Sequence, residues 1–150
     1  MKATVLYASL YLLAGCATNK VKNQNNIEKV EFSAGPCFGA CPIFEMKIGG
    51  DGSAELDAKR FNDITGQFKA VIKKPQMDSL VMLIDKAKIL SLSDKFSVKI
   101  TDMPSYNLSV RFKDGKFKTI ADYGPSGPQE LKDIYQFITS LRKSQNWQKQ

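Results

Sequence analysis

The 150-residue sequence has no histidine. A histidine general base, a Ser/His/Asp or Cys/His nucleophilic pair and a histidine-ligated zinc site are therefore all excluded, and any catalysis would have to run through carboxylates, lysine, tyrosine or a thiolate. Phosphate-cradling loops are lacking as well, since Gly124 to Pro128 contains glycine without the GxxxxGK[ST] or GxGxxG spacing. The N-terminal apolar run, Val5 to Leu13, is far shorter than the roughly 20 residues a membrane-spanning helix needs. Cysteine is scarce, with one residue near the start and two more at 37 and 41.

Basic residues outnumber acidic ones, 22 to 15, for a net charge of +7. That balance suits anionic surfaces such as lipid headgroups or acidic glycans, and it is equally what a soluble basic protein carries. The lysines are spread along the whole chain rather than gathered in a stripe, so no nucleic-acid partner is expected. The length fits one domain with one core.

Residues 1–16 read as a signal segment: Lys2 gives the positive start, Val5 to Leu13 the apolar run, and Ala14-Gly15 the small residues before a cut. Leu13-Ala14-Gly15-Cys16 resembles the lipobox of bacterial lipoproteins, and the resemblance implies that Cys16 is acylated and becomes the mature N-terminus. Several acyl chains hold stably where one holds only marginally. Residues 17–26 are polar and aperiodic and read as a tether reaching at most roughly 35 Å. No acidic cluster comes after Cys16. By resemblance to lipoproteins whose surface export depends on such residues, the expected location is the bacterial cell envelope, in the outer membrane facing the periplasm.

Residues 27–143 read as a single α+β domain and residues 144–150 as a polar tail containing Trp147. Ile27, Val30 and Phe32 mark a strand that Gly35 and Pro36 break. Phe44, Met46 and Ile48 alternate with Glu45 and Lys47; after a turn at Gly49 to Gly52, Ala54, Leu56 and Ala58 continue the alternation, which predicts a hairpin. Phe68, Ala70 and Ile72 predict a further strand. Pro75 then opens a predicted helix near 75–90, with Met77, Leu80, Val81, Ile84 and Ala87 in one stripe. A polar connector over 91–101 leads to a second hairpin turned at Asp114-Gly115, and Ser126 to Gln129 has capping-box spacing ahead of a helix near 128–143 that buries Leu131, Ile134, Tyr135, Ile138 and Leu141. The expectation is a mostly antiparallel sheet of five to six strands with two helices packed on one face, its order suggesting a ββα pseudo-repeat.

Unusual chemistry concentrates at Cys37-Phe38-Gly39-Ala40-Cys41-Pro42. Export favours a disulfide between Cys37 and Cys41, with Gly39 giving a short ring its freedom and Pro36 and Pro42 restricting its flanks. A redox or Cu(I)-holding dithiol, with Met46 or Met103 as a soft third ligand, and a plain reduced, buried pair are the alternatives. CxxxCP also resembles the copper-binding motif of the Sco copper chaperones, but those need a distant histidine and a thioredoxin-like fold. Asp51 and Asp114 suit hairpin turns. Asp102 and Asp122 stand at a loop and a strand end where two carboxylates could converge, and with Phe38, Gly39, Pro42 and Tyr123 they make up the candidate binding loops. No catalytic residue, metal ligand or cofactor is assigned. The leading function is a membrane-anchored binding or assembly module that meets an envelope protein or glycan; the alternative is a thiol-dependent redox or copper-handling protein using Cys37 and Cys41.

CFGACP, the alternating strand after it, the GDG turn, Asp102-x-Pro104, and Asp122-Tyr123-Gly124 before a proline-started helix resemble an uncharacterised family of bacterial envelope proteins, many of them lipoproteins, known as a domain of unknown function. The resemblance covers about residues 27–141 and implies a fold without an activity. Phe44 and Leu56 stand where many members are expected to carry tyrosine.

Overall fold

The computed structural model describes residues 26–150. The signal segment, Cys16 and nearly all of the tether lie outside these residues. The described residues form an α+β domain of one eight-stranded mixed sheet and two helices.

β1 (Ile27–Ala34) is the central strand, antiparallel to β2 (Phe44–Gly49) on one side and to β6 (Ser105–Phe112) on the other. The sheet grows outward from it in the order β5-β7-β6-β1-β2-β3-β4-β8. β3 (Ser53–Ala58) and β4 (Gly66–Val71) extend one wing, and β7 (Phe117–Tyr123) with β5 (Lys95–Ser97) extends the other. Only the β5–β7 pairing is parallel among those described.

Alternation puts one row of side chains inward. Phe32 lies opposite Met46 and Leu108, Met46 opposite Leu56, and Leu56 opposite Phe68, all of them buried. A register shift between Ile27 and Lys29 explains how Ile27 and Val30, three apart, both point into the core. The opposite row alternates in charge: Glu31 faces Lys47, Lys47 faces Glu55, and Glu55 faces Lys69. Such cross-strand pairs suit a solvated face and each contributes only tenths of a kcal/mol to about 1 kcal/mol. A broad basin of about 1400 Å³ lies over this wing, lined by Lys29, Lys47, Glu55 and Lys69 among others.

α1 (Lys74–Lys86) carries Pro75 in its first turn and buries Met77, Leu80, Val81 and Ile84. α2 (Gln129–Ser144) buries Leu131, Ile134, Tyr135, Ile138 and Leu141, and these residues share one apolar cluster with the inward row of the sheet.

Three expectations are corrected. The sheet has eight strands rather than five or six, because β5 spans three residues and β8 (Gln148–Lys149) two, too few for alternation to register. The polar connector accordingly holds a strand, preceded by a 3-10 turn at Ile89–Ser91 that comes after Lys88 in the left-handed region, so α1 stops short of 90. The polar 144–150 stretch also makes contacts of its own: β8 pairs with β4, the Trp147 indole donates to the Arg142 carbonyl at 2.9 Å, and the Gln150 amide donates to the Gln67 carbonyl. Finally, the capping box does not form, since Pro128 is the N-cap and no side chain caps it; the Ser126 hydroxyl turns to Asp122 instead.

Candidate functional site

β1 delivers the chain to the 35–42 loop at the end of the sheet away from the β2–β3 turn. Cys37 and Cys41 sit at disulfide distance, their Cα atoms 5.8 Å apart. The loop is pinned at its base by the Gly35 amide, which donates to the Ser105 carbonyl at 2.8 Å, and above it by the Phe38 amide, which donates to the Asp102 carbonyl at 2.9 Å. Gly39, at φ +134°, takes a conformation that a side chain would oppose. Phe38 projects from the tip and is 88% exposed. Ile100, on the neighbouring connector, is also exposed, and Pro42 is half-buried where the chain turns back into the sheet.

Asp102 acts here through its backbone. Its φ of +66° is one that aspartate tolerates better than most residues, and its carbonyl receives the loop. Tyr123 holds the same connector from the other side: its hydroxyl accepts from the Met103 amide at 3.2 Å and its carbonyl from the Val98 amide. Gly124, at φ +71°, lets the chain pass so close that a Cβ there would meet the Val98 side chain at 2.4 Å. The structure thus brings together the cysteine loop, the 98–104 connector and Tyr123-Gly124.

The two aspartates do not meet as a carboxylate pair. Asp102 is exposed, whereas Asp122 is 1% exposed. Asp122 accepts from the Ser126 amide at 2.8 Å, the Ser126 hydroxyl at 3.1 Å and the Gly127 amide at 3.2 Å, which folds 124–127 into the start of α2. Asp51 and Asp114 do serve their turns. Hydrogen bonds from Ser53 hold the Asp51 carboxyl below its ordinary range, and those from Lys116 do the same for Asp114.

Beneath α2 lies an aromatic cluster whose Phe32, Phe44 and Tyr135 the sequence reading placed only on strand and helix stripes. Tyr106 and Tyr135 meet edge-on with centroids 5.1 Å apart, and Phe32 touches both at 5.4 and 5.5 Å. Phe32 also leans on Phe44 at 5.7 Å, and the Arg142 guanidinium sits 5.5 Å over the Phe44 ring. Arg142, only 6% exposed, donates to the Asn62 side-chain oxygen at 3.0 Å. The available signal was positional: Tyr106 and Tyr135 fall on the apolar stripes of a strand and a helix, where a hydroxyl is out of place. Phe44 and Leu56, the expected tyrosine positions, are both in the apolar core.

The Tyr135 hydroxyl is buried and has no hydrogen-bond partner of ordinary geometry. Burial first, and then the Asp122 carboxylate near it, push its ionisation far above the usual tyrosine value of 10.0; Tyr106 is raised for the same two reasons. The folded state therefore keeps a proton that the unfolded chain loses above about pH 10, so stability is full below that pH and falls as pH rises past it. Chemical denaturation in the range from pH 9 to 11 should show this alkaline loss reduced in Tyr135→Phe relative to the parent. Equal slopes would mean that other groups carry it.

A mixed sheet, a pinned loop at its end and a helix packed on Phe32 of its central strand define a small α+β domain in which the cysteine loop, the 98–104 connector and Tyr123-Gly124 share one end. The chain belongs to the family described as Domain of unknown function (DUF6438), which matches residues 28–142. No curated protein matches it.

Proposed function

We propose that this is a lipid-anchored lipoprotein of the bacterial cell envelope, held through Cys16 in the outer membrane facing the periplasm, and that it works as a binding or assembly module for an envelope protein or glycan. The observation that carries the reading is Phe38, an aromatic side chain 88% exposed at the tip of a loop whose backbone is fixed at two points. A rigid aromatic anchor costs little ordering entropy on contact, and such residues dominate interface energetics. Cys37 and Cys41 form a permanent disulfide in this reading, closing a five-residue loop and contributing about 2 kcal/mol by chain entropy while stiffening the tip. The reading also takes both helices to lie on the inward face of the sheet and each hairpin-plus-helix run to be one copy of a ββα unit, so that the loop end and the charged face stay open.

The test is a photo-crosslinking residue placed at position 38 in intact cells, with position 114 as the control at the opposite end of β6. A discrete adduct from 38, absent from 114 and lost together with acyl labelling in Cys16→Ser, is the expected result. The same adduct pattern from both positions, or unchanged acyl labelling in Cys16→Ser, would overturn the reading.

A further inference from the structure

A groove of about 440 Å³ runs along the side of α2, between the helix and Tyr106 and Pro125. Its helical wall is a single stripe from Lys132 to Lys143, about 16 Å long at the rise of an α-helix, so it is elongated rather than round. One end is preorganised: the half-buried Tyr106 ring is set edge-on against the buried Tyr135 ring, both are locked from below by Phe32, Pro125 closes the corner, and Lys132 and Gln136 edge it on the helix side. At the other end Thr139 and Lys143 lie one turn apart on the same face. The Ser140 hydroxyl between them is committed to the Phe137 carbonyl at 2.7 Å. Neither Lys132 nor Lys143 takes part in an ion pair among the described residues, whereas Asp133 on the same helix is paired with Lys86 of α1.

We propose that this groove binds an extended amphipathic carboxylate, an acyl chain bearing one carboxylate group. The carboxylate meets the Lys143 ammonium and the Thr139 hydroxyl, while the chain lies along α2 with its tail on the half-buried Tyr106 ring and Pro125. The aliphatic stem of Lys132 covers the tail and its ammonium stays in water. The volume falls within the usual range for small-ligand sites, and an apolar surface edged by a few polar groups is their common form. This site goes beyond the envelope-module reading and does not depend on it.

The experiment is amide-resolved NMR titration of the full chain carrying Cys16→Ser, with dodecanoate kept below micelle-forming concentrations. Saturable shifts at Tyr106, Tyr135, Thr139 and Lys143 are expected. Lys143→Gln should weaken binding about tenfold, the scale of one charge-assisted hydrogen bond, and Lys132→Gln should change it less than about twofold. Lys143 is exposed, so its replacement leaves the fold intact. The proposal is overturned if the shifts do not saturate, if dodecyltrimethylammonium reproduces them, or if Lys143→Gln binds like the parent. It is equally overturned if the same residues shift with protein concentration alone, which would mark a second copy as the occupant, or if they respond to anionic vesicles but not to the free acid.

Discussion

Asp122→Ala is expected to lower the unfolding free energy by about 2–4 kcal/mol, a large loss for one side chain at a strand end. The carboxylate accepts three hydrogen bonds from Ser126 and Gly127, and the Gly127 bond is buried. Alanine would leave the buried Gly127 amide facing apolar surroundings, since Phe96 and Leu131 crowd the same spot, each lying near the position that a Cβ on Gly127 would occupy. Asp122→Asn should lose less, because one amide oxygen remains to accept. Urea denaturation is the measurement, with the midpoint falling and the slope unchanged if the damage is confined to the native state. A loss below about 0.5 kcal/mol would mean that water replaces the carboxylate and that the 124–127 turn is held by other contacts.

The second large effect belongs to the core stripe of α2. Leu131 and Ile134 are both fully buried in the single apolar cluster, and truncating either to alanine should cost about 2–5 kcal/mol, the transfer energy of the lost methyl groups plus the cavity they leave. Met82→Ala on the exposed side of α1 serves as the control and should stay within about 0.5 kcal/mol of the parent. If Leu131→Ala and Ile134→Ala unfold like the parent, the helix does not meet the sheet through that stripe.

Much of this architecture can be read from periodicity. Both Asp-Gly hairpins occupy their expected places, and both helices carry the buried stripes their spacing predicts. The features that escaped reading are those periodicity cannot carry. Strands of two and three residues exist because a neighbour offers free backbone groups, so β5 depends on β7 and β8 on β4. Ser126 illustrates a second limit: its spacing to Gln129 suits a cap, but a carboxylate on the preceding strand competes for the same hydroxyl and prevails. At the loop end, residue types marked Cys37, Asp102 and Tyr123 as unusual. Which of their atoms meet is set by backbone groups, the Asp102 carbonyl and the Met103 amide, and these leave no trace in side-chain identity. The Tyr106 and Tyr135 pair shows the converse, because an apolar-stripe pattern hides a hydroxyl that the fold then has to accommodate.

The placement of β1 has a mechanical consequence. The chain enters this strand at Ile27, from the side of the proposed anchor, and leaves it at Ala34, three residues before Cys37. Tension applied between the tether and the tip at Phe38 would therefore travel down the covalent backbone of one strand, about 26 Å long at the usual strand rise. The flanking ladders to β2 and β6 and both helices stand beside that line of force rather than in it. Pulled in this direction, the domain would behave as a rod with its fold hung alongside, passing load from tether to loop tip without first having to unfold.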